Sequence, residues 1–304
     1  MAFEQTADLC LGFFHPIIHL GFGVEFEQPA IIAEALAQTA VHDTWPSLLL
    51  QGAERAAGDR NGKPGSKSLV QLLDEVRADP KLSTSAHWSD GHKIRNGIYE
   101  RAPKQMIQYA SQWTVGPEQL EEKTAEMLNA AVYSAGGAQH PPKQVKFDFL
   151  LIHDVNCSIF FSAFLKQAWL SPQVKARLLE WKGRMDLAMY VSRGSPKLLL
   201  EEIKNYQPKE KPNLAGDSWG GIFGRASAFE DDGHTSKLVR TLAHGEEICR
   251  PFESLGSFRV KGDMWLKLGN MAIDSVEDCG DQWVRSAGFD EAWEKFEDRP
   301  RAQL

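Results

Sequence analysis

An all-α fold, a single multi-helix domain with long loops over residues 1–304, is what this sequence predicts. Apolar residues recur at three- and four-residue spacing along most of the chain. Clean alternation of apolar and polar residues, the mark of strands, is scarce. Prolines open several periodic stretches, at Pro29, Pro117 and Pro172, where a missing N–H costs nothing.

Residues 29–44 read as a helix whose inward face carries Ile31, Ile32, Ala35, Leu36 and Thr39. A polar, glycine-rich loop follows at 58–67, then a short amphipathic helix at 68–79 that stops near Pro80. Residues 81–102 read as irregular. Pro117 and Glu118 open a helix running to Gly136-Gly137, and Pro141-Pro142 separates it from the most apolar helix, expected over 145–170. Ser171 and Pro172 cap the next helix, which runs to about residue 192. Residues 207–217 are the best linker candidate. Helices are expected again at 234–247 and 261–276, and the tail at 289–301 reads as a short helix docking through Phe289, Trp293 and Phe296.

Hydrophobic residues make up 42% and charged residues 25%, the composition of a globular domain that builds a core without disulfides. Lys+Arg number 34 against Asp+Glu 41, a net charge of −7, which argues against a nucleic-acid partner. The cysteines at 10, 157, 249 and 279 form no CxxC pair, so reduced thiols and a cytoplasmic location are expected. The N-terminus lacks the basic region of a signal peptide. The apolar stretch 9–24 is broken by His15, Pro16 and His19, too short and too polar for a membrane span.

Nine histidines are present, and their placement is informative. His15 and His19 form HPxxH, which puts two imidazoles on one helical face. They suit either a shared metal or two hydrogen-bonded core positions. His153 lies among Leu150, Leu151, Ile152 and Val155, with Phe149 on or near its face. A buried imidazole must have its nitrogens satisfied, by a neighbour or by a metal. His234 opens a helix behind Asp232, a plausible N-cap, and shares an inward stripe with Leu238 and Leu242. Lys237 stands one turn further on; a lysine so near a helix N-terminus opposes the macrodipole unless it is neutral or carbamylated. His42, beside Asp43, suits a supporting pair or the surface. His87, His92 and His140 read as solvated loop residues, and His244 as a helix C-terminal histidine. No Rossmann GxGxxG, P-loop, GxSxG elbow or HExxH occurs.

Several segments resemble questin oxidase-like proteins, fungal oxidoreductases of aromatic polyketide pathways: GFFHPIIHLGFGVEFEQPAIIAEALAQTAVHD, LLIHDVNCSIFF, LLEWKGRMDLAMYVSRGSP, EDDGHTSKLVRTLAHGEE and FRVKGDMWLKLGNMAIDS. The resemblance implies oxidative ring cleavage of a small anthraquinone-type polyketide, with dioxygen and a non-haem iron held by histidines and a carboxylated lysine. Carried over by motif, His15, His153 and His234 are the implied metal ligands and Lys237 the implied carbamate. Lys182 is the competing lysine, and His19 a possible further ligand or supporting residue. Imidazole suits iron, and a carbamate supplies a hard anionic oxygen. Phe13, Phe14, Phe22, Trp45, Phe160, Trp219, Phe223 and Trp265 are candidates to sandwich a flat ring system, or plain core. The sequence departs from the family pattern in two ways. An N-terminal segment expected to bring another histidine is absent, and Asn156-Cys157-Ser158 stands where hydroxyl residues are expected. Two alternatives follow: an NADPH-dependent Baeyer–Villiger-type oxidoreductase without metal, or a shortened helical paralogue without activity.

Overall fold

The computed structural model describes residues 14–41, 46–58, 67–209, 218–277 and 280–300. The expected all-α architecture is present. Described residues form fourteen α-helices and no strand, with two isolated bridges, Lys143 to Asp298 and Asp148 to Val284. In order these are α1 (His15–Glu25), α2 (Pro29–Val41), α3 (Pro46–Gly58), α4 (Leu69–Ala78), α5 (Pro80–Ser83), α6 (Pro103–Ala110) and α7 (Leu120–Gly137). There follow α8 (Leu151–Ser158), α9 (Phe160–Leu165), α10 (Pro172–Ser192), α11 (Leu200–Lys204), α12 (Trp219–Ala228), α13 (His234–Cys249) and α14 (Met264–Asp274). No helix of the described residues is long and apolar enough to cross a membrane.

Local chemistry explains several boundaries. The Ser68 hydroxyl accepts the Gln71 amide and starts α4; the Ser171 hydroxyl accepts the Val174 amide ahead of Pro172 and starts α10. Two stretches depart from expectation. The helix expected over 145–170 begins only at Leu151 and breaks at Ile159. Its first residues bond across the chain instead: the Phe149 amide donates to the Val284 carbonyl, and the Val284 amide to the Phe147 carbonyl. The Asp148 carboxylate then accepts the Leu150 and Leu151 amides at 2.8 and 3.2 Å and caps α8 one turn late. Residues 81–102, expected to be irregular, hold α5 and a π-helix at Lys93–Tyr99.

Smaller differences are instructive. α2 buries Ala35 and Thr39, but Leu36, assigned to its inward face, is 53% exposed. The tail forms only a 3₁₀ turn at Asp290–Trp293, yet it docks through buried Trp293 and Phe296 as expected. Most of the loop expected at 58–67 and of the linker expected at 207–217 lies outside the described residues, as do His42, Phe13, Trp45, Cys10 and Cys279. Cys157 and Cys249 are buried free thiols.

α7 and α10 run through the centre. From Thr124 to Gly137 and from Trp181 to Ser192 every residue is buried. Such helices carry apolar surface all round, so other helices must cover every side. α10 nevertheless buries charge, and each charge has a partner one turn away: Lys182 Nζ donates to Asp186 at 2.5 and 2.6 Å, and Arg184 Nη2 to Glu180 at 2.8 Å. α1 packs against α2, α8 and α9. Its close approach to α9 requires Gly21, where a Cβ would stand 2.1 Å from the Phe160 ring.

Gly21→Ala should therefore cost about 1–3 kcal/mol in denaturant unfolding, because Phe160 is walled in and cannot yield. Gly220→Ala in α12, where the nearest atom would be 3.8 Å away, should be neutral or stabilise by up to about 1 kcal/mol. Equal midpoints for the two variants would refute the packing account.

Candidate functional site

Three of the predicted site residues come together where α1, α8 and α13 meet. His153 is 2% exposed and sits in the first turn of α8. Its Nδ1–H donates to the Phe149 carbonyl at 2.6 Å, which leaves Nε2 as the lone-pair nitrogen. His234 opens α13, and its Nδ1 is hydrogen-bonded to the Asp232 carboxylate, which turns Nε2 toward His153. The two Nε2 atoms face each other 3.3 Å apart, with ring centroids at 5.0 Å. His15, exposed at the start of α1, meets the His153 ring edge-on at 5.2 Å between centroids. The Phe149 ring lies 4.9 Å from both His153 and His234, and Arg285 stacks over it at 4.0 Å.

The sequence places these groups by local means. Pro16 fixes the first turn of α1 behind His15. Gly233 takes φ +83° just before His234, a conformation that costs glycine little, and this turns α13 into the site. The cap differs from the expected one. Asp231, not Asp232, accepts the Gly233 and Thr235 amides at 2.7 and 2.9 Å, which releases Asp232 to hold the His234 ring.

Burial holds the His153 imidazole neutral: its pKa falls to about 3, first through desolvation and further through the nearby His234, His15 and Lys237, against the raising effect of the Phe149 carbonyl. Lys237 is half-buried on α13, one turn beyond His234. The other candidates lie elsewhere. His19 pairs with Glu34 at 3.0 Å. Lys182 is fully buried against Asp186, 3.3 Å from the Ser158 hydroxyl and 5.0 Å from the Phe14 ring centroid. His244, read as a C-terminal histidine, sits inside α13 and bonds the Ser162 hydroxyl at 2.8 Å. His92 caps the π-helix, and His140 stacks on Trp293 at 5.4 Å, so neither is a plain solvated loop residue. Among the aromatic candidates, Phe14, Phe160 and Trp265 are core, while Trp219 and Phe223 stack on each other.

At 3.3 Å the two Nε2 atoms share a hydrogen bond, and the same spacing accommodates a cation in place of the proton. Nitrogens about 2.1 Å from one ion are themselves roughly 3.0–3.4 Å apart at angles near 90–110°, so the pair fits two adjacent positions on a first-row metal. Each Nδ1–H is held by a carbonyl or carboxylate, the usual support for a ligating imidazole. Among the described residues no three His, Cys, Asp or Glu side chains converge on one point.

Sequence reasoning missed two contributors: Asp232 as the partner of His234, and the Phe149 carbonyl. An aspartate two residues before a histidine was a readable signal for the first. The second depends on α8 starting late.

Because the folded pKa of His153 lies below the ordinary 6.5, the unfolded chain takes up this proton first as pH falls. The contribution of His153 is therefore fully present above about pH 6.5 and declines between 6.5 and about 3. In metal-free protein, His153→Gln should remove up to about 1.4 kcal/mol per pH unit of that decline, read from denaturant melts at pH 7, 6 and 5. Parallel pH profiles for the two proteins would count against a buried neutral imidazole.

The family model described as questin oxidase-like matches residues 4–242. A Baeyer-Villiger oxidase, ptaJ, of Pestalotiopsis fici is 43% identical over 95% of this chain and 66% of its own length. Oxidoreductase AflY of Aspergillus parasiticus is 40% identical over 93% of this chain and 57% of its own. A questin oxidase of Aspergillus terreus is 39% identical over 94% of this chain and 65% of its own. The chain thus spans less than two thirds of the length of these relatives. With a family model matched over most of its residues, the chain belongs to the questin oxidase-like family.

Proposed function

We propose that this chain is an oxidoreductase that opens a ring of an anthraquinone-type polyketide in fungal secondary metabolism, using dioxygen and a non-haem iron. The observation that carries the reading is the His153–His234 pair, with the two Nε2 atoms facing each other at 3.3 Å and both Nδ1 atoms anchored. The relatives' names, questin oxidase and Baeyer-Villiger oxidase, support the reaction class.

In this reading His153 and His234 hold the metal, His15 completes the open side, and Lys237 joins as a carbamate. When bound, the iron supplies redox chemistry with dioxygen. The remaining work belongs to the protein. The Phe149 carbonyl and Asp232 hold both rings so that the Nε2 atoms face each other. The Phe149 ring shields one side of the pair and offers a flat apolar face to an aromatic substrate. Lys237 is half-buried on α13 one turn from His234, where a carbamate oxygen would supply a hard anionic donor beside the imidazoles.

His153→Ala and His234→Ala should each lower iron content at least tenfold, measured by elemental analysis of folded protein. Asp232→Asn should weaken metal affinity about 10- to 100-fold while leaving the melting midpoint near that of the parent. Lys237→Arg, which cannot form a carbamate, should also lose iron. Unchanged iron in both histidine variants would end the metal reading. Turnover that survives chelation but requires NADPH would replace it with a metal-free Baeyer–Villiger-type reaction.

A further inference from the structure

A cavity of about 190 Å³ is lined by Asp90, His92, Lys93, Ile94, Leu150, Arg193 and Ser286. Leu150, which lines it, accepts the His153 amide on its carbonyl at 3.1 Å, so the cavity and the imidazole pair meet at this residue.

The charge balance of this cavity is the reverse of the chain's. Arg193 is only 7% exposed, yet its hydrogen bonds go to two hydroxyls: Nε to Ser192 at 3.1 Å and Nη1 to Ser286 at 3.2 Å. Lys93 Nζ donates only to the carbonyls of Trp88 and Asp90, at 2.7 and 3.2 Å, and lies over the Trp88 and Phe289 rings. Arg285 adds a third positive charge nearby, held by the Phe149 ring. Among the described residues none of the three has a carboxylate within ion-pair range. Asp90 is bidentate with Arg101 at 2.7 and 2.8 Å, Asp148 accepts the Leu150, Leu151 and Ala287 amides, and Asp148 and the buried Asp154 favour the Arg193 charge only from beyond ion-pair range.

A buried guanidinium without a counter-ion is costly, and the protein pairs its other buried arginines: Arg184 with Glu180, and Arg225 with Asp274 and Glu277. Arg193 differs because its charge faces an open space. Ser286, which holds Nη1, sits at φ +72°, a conformation a non-glycine residue adopts only when its surroundings impose it. The shape narrows the ligand. A cavity of roughly 150 Å³ accepts benzene, so this one has room for a single ring and a small substituent. Ile94 and Leu150 offer apolar wall to the ring, and the planar fork of Arg193 matches a carboxylate.

The geometry points to a binding site for a single-ring aromatic carboxylate, with Arg193 as the charge partner and Lys93 as the second cation. This site stands without the metal.

The test is isothermal titration of metal-free full chain with 2-hydroxybenzoate, its neutral amide and inorganic phosphate. One-to-one binding of 2-hydroxybenzoate is expected, at least tenfold tighter than the amide or phosphate. Arg193→Gln should weaken it at least tenfold and Lys93→Gln several-fold, with the Lys93 variant melting as the parent does. Where Arg193→Gln fails to fold, the Lys93 variant and the acid–amide comparison decide. Absence of binding at millimolar acid, equal binding of phosphate, or an acid affinity indifferent to Lys93→Gln would overturn the site. Iron content of the same variants, expected to be unchanged, separates this result from the fate of the metal reading.

Discussion

The site rests on one hydrogen bond. The Nδ1–H of His153 goes to the Phe149 carbonyl one turn back, and that bond sets which nitrogen faces the bundle interior. Burial holds the ring neutral, so Nε2 keeps its lone pair where α13 delivers the matching nitrogen of His234. The late start of α8 makes this possible. Asp148 caps the helix while residues 147–149 bond to Val284, and the Phe149 carbonyl is left pointing along the first turn. A helix running through from residue 145 would have committed that carbonyl to a regular backbone bond.

The interior is polar in a disciplined way. Lys182 with Asp186, Arg184 with Glu180, and Arg225 with Asp274 and Glu277 are pairs that offset much of their desolvation cost. Lys182 belongs to this scaffold: burial works against its charge, but Asp186 and other nearby acids raise its pKa, the opposite of what a carbamylated lysine needs. Lys237 lies half-buried on α13, one turn beyond His234. Arg193, Lys93 and Arg285, which have no carboxylate within ion-pair range among the described residues, gather around the Phe149–Leu150 segment, and the same segment orients the His153 ring.

Much of this was legible in the order of residues. Helix periodicity, Ser and Pro caps, and the scarcity of alternation determined the all-α class and fixed α4, α7, α10 and α13 to within a few residues, because these signals act over three or four positions. The apolar flanks of His153 and the stripe shared by His234, Leu238 and Leu242 marked both histidines as inward-facing for the same local reason. What only the tertiary structure decided were the choices made between distant groups. Asp232 was free to cap or to hold a ring, His19 to join the cluster or to pair with Glu34, and residues 145–150 to continue a helix or to bond with Val284. Each has two outcomes of similar local energy, and a partner many residues away tips the balance, so no window of sequence contains the answer.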